Sequence, residues 1–304
     1  MKKKMLLIVN PRSGRNRLRG DLLEVTNVFS FNDYSINIMN TAGPGDATKF
    51  AKEYGGEYDT VVCRGGDGTL SETLNGIMQL ENKPNVGLIP VGTTNDVAHS
   101  LGVPDDPIKA AQLIVSGEAR PCDIARFNDK YFVYVGSFGA FASTTYTAKQ
   151  SVKNRIGKFA YYFEAFGAIK DIREIPLRIT VDGSTVEDSF VFGSISNSYT
   201  VGGGVITLNK EQVCLNDGKY ELFLAKNPKT VKNWVSVCAG VLKKDFDERF
   251  IKVYHGSDIS LEVLDGTPLP WTLDGEYGGD DNKVDIKIIN GAFNLYRPPM
   301  PNEK

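Results

Sequence analysis

The chain has only two histidines, His99 and His255, and only four cysteines, Cys63, Cys122, Cys214 and Cys238, none of them in a C-x-x-C pair. A zinc site or a Ser-His-Asp hydrolase would have to draw on one of the two histidines, and no spacing supports either. Cysteines scattered this widely read most simply as reduced thiols of a cytoplasmic protein. Long apolar runs are missing too. No stretch approaches the roughly 18 consecutive apolar residues of a spanning helix, and the run behind Lys4 ends at Asn10-Pro11, too early for a signal peptide. That run reads as a first buried strand, and the protein is expected to be soluble or at most peripheral at the inner face of a membrane. An excess of one charge is absent as well. The formal net charge is −2, so no global field argues for a nucleic-acid partner. There is no internal repeat and no low-complexity tract.

What is present suffices for two domains: 304 residues, 41% of them hydrophobic and 24% charged. From residue 4 to about 117, β-branched runs at 4–9, 34–40, 59–63 and 86–89 alternate with amphipathic stretches. That rhythm predicts a parallel α/β domain. After Pro121 the runs come closer together, at 131–136, 177–181, 190–195, 219–225, 259–264 and 284–289, which predicts a mostly antiparallel β domain. Helical exceptions are expected near 153–170 and 228–243. The linker is placed within Gly117 to Asp123, giving domains of 1–120 and 121–292, with about 293–304 a candidate to return to the first.

Three polar turns follow predicted strands of the first domain, at the sheet edge where ligands of parallel sheets bind. The first, Asn10-Pro11-Arg12-Ser13-Gly14, lies in a basic neighbourhood: Lys2, Lys3, Lys4, Arg12, Arg15, Arg17 and Arg19 precede the first acid, Asp21. That cluster suits a polyphosphate, and equally a solvated N-terminus. The second turn is Gly65-Gly66-Asp67-Gly68-Thr69, before a helix expected from Leu70 to Leu80. Glycines let backbone N–H groups close on phosphate oxygens, and Asp67 there makes sense if Mg²⁺ lies between acid and phosphate. The plain alternative is a turn capped by Asp67 or Thr69. The third turn, Pro90-Val91-Gly92-Thr93-Thr94-Asn95-Asp96, offers neutral hydrogen-bonding groups and a second acid for the metal, or else a plain N-cap. Neither G-x-G-x-x-G after the first strand nor G-x-x-x-x-G-K-[ST] occurs, which tells against dehydrogenases and P-loop ATPases.

The ordered set NPRSG at 10–14, Thr41 with GDA at 45–47, GGDGTLSE at 65–72 and PVGTTNDVA at 90–98 resembles the diacylglycerol kinase catalytic domain. The likeness continues in RIGKFAYY at 155–162, Asn197 with GGG at 202–204, NDGKY at 216–220 and LDGE at 273–276. It implies an N-terminal nucleotide-binding domain of the NAD kinase and phosphofructokinase kind and a C-terminal β-sandwich. It also implies ATP and Mg²⁺ as cofactors and a lipid hydroxyl as acceptor at a membrane surface. Nucleotide would be held at Asn10, Ser13, Gly14, Thr41, Gly65, Gly66, Asp67, Gly68, Thr69, Glu72, Gly92, Thr93, Thr94, Asn95 and Asp96. Asp67 and Asp96 would serve the Mg²⁺–ATP complex, Asp274 would be the general base and Glu276 a supporting carboxylate. A structural Mg²⁺ site would map onto Asp217 with backbone oxygens near Cys214 and Lys219.

From the residues alone, Asp274 and Glu276 are two apart, and on an extended segment they would project the same way as a carboxylate pair able to tune proton transfer. A charged surface turn is the alternative. Ser71, His99 and Asn216 stand where the family usually has Asn, Arg and Asp, and Asn216 removes a charge from beside the structural metal. Aromatic and basic residues between Lys153 and Lys170 suit a membrane interface or a helix core face. An NAD kinase or sugar kinase, a catalytically silent nucleotide sensor, and a homodimer stay open at this point.

Overall fold

The computed structural model describes residues 2–14, 21–93, 95–140, 172–197, 216–230, 232–234, 236–237, 240 and 246–300, with the backbone alone at 200–201 and 206–207. It divides into two compact units, one of Met1–Val133, Leu215–Gly218 and Ile289–Lys304, the other of Tyr134–Cys214 and Lys219–Ile288. The first unit thus runs past the Gly117–Asp123 linker expected from the sequence, because a strand, Ala119–Phe127, starts within that segment and belongs to this unit.

The first unit begins with β1 (Lys3–Val9), α1 (Asp21–Phe31), β2 (Tyr34–Asn40), α2 (Asp46–Tyr54), β3 (Thr60–Gly65), α3 (Asp67–Ile77) and β4 (Asn85–Pro90). It continues through α4 (Asp96–Ser100), α5 (Pro107–Ser116), β5 (Ala119–Phe127) and β6 (Lys130–Phe132). The first four strands are parallel in the order β2-β1-β3-β4. Met5 to Val9 and all of β3 are buried, so these strands show continuous apolar runs rather than alternation, as expected of a sheet covered on both faces. Helix α5 starts where Asp106 accepts from Ile108 N and Lys109 N at 3.0 and 2.9 Å, with Pro107 at the first helical position. Register pairs Val9 with Arg64 and Gly65 with Pro90, so the ends of β1, β3 and β4 come level at one sheet edge.

Helix α3 begins at Asp67, three residues earlier than the sequence predicts. Its first turn is the segment Asp67-Gly68-Thr69, whose two poor helix formers hide it from a propensity reading. Its neighbour Cys63, on β3, is fully buried, and burial pushes its thiol up to about 12. Cys63 and Cys122 are both buried and are not joined to each other in a disulfide. We expect neither to react with iodoacetamide in the native protein and both to react in denaturant, read by mass spectrometry of the labelled peptides. Rapid native labelling of Cys63 would contradict its burial.

The second unit holds β7 (Val135–Gly139), β8 (Ile175–Val181), β9 (Ser184–Phe190), β10 (Phe192–Ser196), β11 (Thr200–Val201), β12 (Ile206–Thr207) and β13 (Tyr220–Ala225). Then come β14 (Ile251–Gly256), β15 (Asp258–Val263), β16 (Leu269–Leu273), β17 (Glu276–Asp281) and the start of β18 (Lys283–Tyr296), whose end belongs to the first unit, where Leu295 pairs with Val86 of β4. A six-stranded sheet runs β14-β13-β10-β7-β16-β17, antiparallel throughout. Strands β18, β15, β8 and β9 are antiparallel neighbours as well. The runs 131–136 and 190–195 each prove to be parts of two strands, interrupted at Val133-Tyr134 and at Val191. Trp271 and Phe138 pack with ring centroids 4.6 Å apart at the centre of the six-stranded sheet. The expected helix at 153–170 lies outside the described residues, as does much of 228–243. Among the described residues, no helix is long and apolar enough to cross a membrane.

Candidate active site

The three polar turns meet at the ends of β1, β3 and β4. Asn10 N donates to Arg64 O at 3.0 Å and its Nδ2 to Thr69 Oγ1 at 2.9 Å, joining the first turn to the second. Asn10 also shapes its own turn, since its Oδ1 accepts from Arg12 N at 2.9 Å and its carbonyl from Ser13 N at 3.2 Å. Gly14 has φ +79°, and a Cβ there would lie 2.2 Å from Val91 O, so the first turn also rests on the third. A Cβ on Gly92 would lie 2.6 Å from Gly66 Cα. These glycines are required by the packing of turn on turn, before any ligand is considered.

The acids divide into caps and contacts. Asp67, at the head of α3, accepts from Asp96 N at 3.1 Å and Val97 N at 3.0 Å, so it caps α4 from another element and brings the two acidic turns side by side. Asn95, at φ 51°, accepts from Gly92 N at 2.8 Å and closes the third turn. Glu72 accepts from Gly45 N at 2.9 Å and Ala47 N at 3.3 Å, holding the start of α2. Thr41 is buried, its N–H donating to Val9 O at 2.9 Å. Thr93 is exposed, and Thr94 lies outside the described residues. The structure therefore groups Asn10, Ser13, Gly14, Gly65, Gly66, Asp67, Gly68, Thr69, Gly92, Asn95 and Asp96, while Glu72 and Thr41 belong to the adjoining α2 side.

In the second unit Asp274 is 7% exposed, and its Oδ1 accepts from Tyr134 N at 2.8 Å and Val135 N at 3.0 Å. Asp274 N in turn donates to Val135 O at 2.8 Å. Leu273 pairs with Glu276, and between them Asp274 and Gly275 have φ of 48° and 85°. This is a two-residue hairpin turn of the primed kind that Asp-Gly favours. The extended Asp274–Glu276 pair expected from the sequence is corrected here. The turn reverses the chain, leaving Asp274 buried and Glu276 exposed as the first residue of β17.

Residues 4–127 match the family model of the diacylglycerol kinase catalytic domain. The diacylglycerol kinase of Bacillus subtilis (strain 168) is 33% identical over 309 residues, covering 99% of this chain and 98% of that protein. The chain belongs to the diacylglycerol kinase family. The family member from Staphylococcus aureus (strain MRSA252) is 28% identical over 293 residues, covering 95% of this chain and 90% of that protein. A crystal structure of a diacylglycerol kinase from Bacillus anthracis str. Sterne superposes with a TM-score of 0.77 at 28% identity, covering 98% of each chain. As a member of this family the protein is a kinase, a phosphotransferase that uses ATP.

One buried acid of this kinase was not singled out from the sequence. Asp123, 1% exposed, accepts from Gly218 N at 2.7 Å, Gly291 N at 2.8 Å and Asn290 Nδ2 at 3.2 Å. Asn290 Nδ2 also donates to Asn216 O at 3.0 Å. Burial raises the Asp123 carboxyl above the usual range and nearby Asp217 adds to this, while the N–H groups of Gly291 and Gly218 oppose it. These bonds join segments far apart in the chain, so no local pattern announces them. They also hold the Asn216–Gly218 turn, where a structural metal was expected, with protein groups. Cys214 lies outside the described residues, Asp217 and Lys219 are exposed, and no cluster of three metal-ligating side chains occurs among the described residues. We expect Asp123→Ala to cost about 1–3 kcal/mol, the penalty of stranding buried donors. Calorimetric melting of Asp123→Ala equal to that of wild type would remove this role from Asp123.

Proposed function

We propose that the protein transfers the γ-phosphoryl group of ATP, with Mg²⁺, to a hydroxyl of diacylglycerol or a related lipid. The observation that carries this reading is the convergence of three polar turns on one edge of a parallel sheet, with Asp67 and Asp96 side by side. The donor chemistry fits the cofactor: carboxylate oxygens are the hard ligands Mg²⁺ prefers, and the adjoining helix start suits phosphate oxygens. Asp67 and Asp96 would hold the ion, which when bound neutralises phosphate charge and polarises the group being transferred.

In this reading the chain's own residues position and accept. Asn10, Ser13 and Gly14 bind phosphate oxygens through side-chain and backbone donors, as do Gly66, Gly68 and Thr69. Gly92, Thr93, Thr94 and Asn95 offer further polar contacts to the nucleotide, with Thr41 and Glu72 steadying the neighbouring α2 start. Asp274 is the general base, taking the proton from the acceptor hydroxyl as its oxygen attacks. Its two backbone N–H donors fix the carboxylate's orientation, so little reorganisation is needed when the proton arrives. The acceptor is reached at a membrane surface, without any nucleic-acid partner.

The test is transfer from labelled ATP with Mg²⁺ to dispersed diacylglycerol and related lipids, with NAD and a sugar phosphate as controls. Labelling of the lipid alone is expected. Labelling of NAD or the sugar with no lipid product would overturn the acceptor assignment.

A further inference from the structure

Arg64 ends in a position that ordinary packing does not explain. It is 1% exposed on β3, beside Val9 of β1 and Ile89 of β4, and directly precedes the Gly65-Gly66 turn. By strand alternation it shares a face with Val62, whose methyl lies beside Ile114 of α5 where a Cβ on Gly87 would stand. Its Nε and Nη2 are buried with no hydrogen-bond partner among the described residues. These two atoms form one edge of the guanidinium, a planar fork of parallel N–H groups that matches two oxygens of a carboxylate or phosphate.

The local charges do not satisfy the fork. Burial lowers the guanidinium's basicity, and Asp21, the first residue of α1, is the charge that counters this. The positive end of the α1 dipole adds to the cation instead of cancelling it. A buried, unpaired guanidinium is among the costliest groups to place in a core. Its backbone carbonyl meanwhile accepts from Asn10 N at 3.0 Å, so the residue is tied to the first polar turn.

We propose that Arg64 is a positioning residue of the polyphosphate site, its Nε–Nη2 fork completed by a phosphate oxyanion of the bound nucleotide. The inference rests on the nucleotide reading above and adds to it a buried cation, whereas Arg12 of the first turn is exposed. The free enzyme carries the cost of two buried guanidinium donors without acceptors, and the nucleotide supplies the acceptors. Part of the binding energy for the triphosphate therefore resides in a residue hidden from solvent until the ligand is in place.

Titration calorimetry of wild type, Arg64→Met and Arg64→Lys with ATP, tripolyphosphate and adenosine tests this, alongside melting curves without ligand. In Arg64→Met the affinity for ATP and for tripolyphosphate should fall about 10- to 100-fold, the range of a hydrogen bond to a charged group, while adenosine binding stays as in wild type. The ligand-free melting temperature should hold or rise, because the unpaired charge is gone. Arg64→Lys, which keeps the charge and loses the fork, should fall between the two. Unchanged ATP affinity in Arg64→Met would overturn the proposal, as would parallel losses for ATP and adenosine. If neither variant folds, the guanidinium is structural and the proposal fails on that ground. Wild type that binds tripolyphosphate but not ATP would overturn the nucleotide reading and keep the oxyanion fork; wild type that binds neither overturns both.

Discussion

Asp274→Asn should lower phosphoryl transfer by about 10²- to 10⁴-fold, the usual scale of general-base loss, with ATP affinity nearly unchanged. The amide is the informative replacement because it leaves the scaffold alone. Its oxygen can still accept from Tyr134 N and Val135 N, the two bonds Asp274 Oδ1 makes at 2.8 and 3.0 Å. Asn also tolerates the left-handed backbone at φ 48° as well as Asp does, so the hairpin turn survives. What the amide cannot do is take a proton at neutral pH. The residues proposed to bind nucleotide belong to the other unit, so steady-state kinetics should show the loss in kcat while nucleotide titration shows none. Asp274→Ala should differ: it strands two backbone donors and costs about 1–3 kcal/mol of stability besides the activity. Near-normal turnover in Asp274→Asn, with melting unchanged, would remove the base assignment.

The parts of this molecule that were legible in the sequence are those where one segment carries its own signal. Strands β1 to β4 stand out because a parallel strand buried on both faces is a short continuous apolar run bounded by turn residues. The three polar turns stand out because each follows such a run. The β16–β17 hairpin was hidden for two reasons. Pro270 sits inside the first strand, and Asp274-Gly275 was read as half of a carboxylate pair when it is the most favoured dipeptide of a two-residue hairpin turn. The start of α3 is hidden by Gly68 and Thr69, whose low helix propensity conceals a first turn fixed by tertiary contacts. What no single segment encodes is the set of long-range contacts: Gly66 against Gly92, Gly14 against Val91, Asp67 on α4, and Asp123 on Gly218 and Gly291. Each joins residues with no periodic relation, and each re-explains a residue that local reasoning gives to a ligand or overlooks.

Asp67 is where those two explanations compete most directly, and a pair of variants separates them. As a cap, its carboxylate serves Asp96 N and Val97 N at 3.1 and 3.0 Å, and losing it should cost about 0.5–2 kcal/mol of stability. As a metal ligand, it should matter to nucleotide binding only when Mg²⁺ is present. Asp67→Asn keeps an oxygen for one of the two backbone donors, which Asp67 meets with separate oxygens, and gives up the charge that a hard cation needs. We therefore expect Asp67→Asn to lose only about 0.5–1.5 kcal/mol of stability, the worth of one hydrogen bond, while its Mg²⁺-dependent ATP affinity falls about 10- to 100-fold, the worth of one charged interaction. Asp67→Ala should show that same loss of affinity together with the loss of the cap. Calorimetric titrations with Mg²⁺ and with EDTA, run beside thermal melts, read both quantities on the same samples. If Asp67→Asn binds Mg²⁺–ATP as wild type does, Asp67 is a cap for α4 and nothing more. The metal must then be held from the Asp96 side of the paired turns, where Asp96→Asn becomes the variant that loses Mg²⁺ dependence.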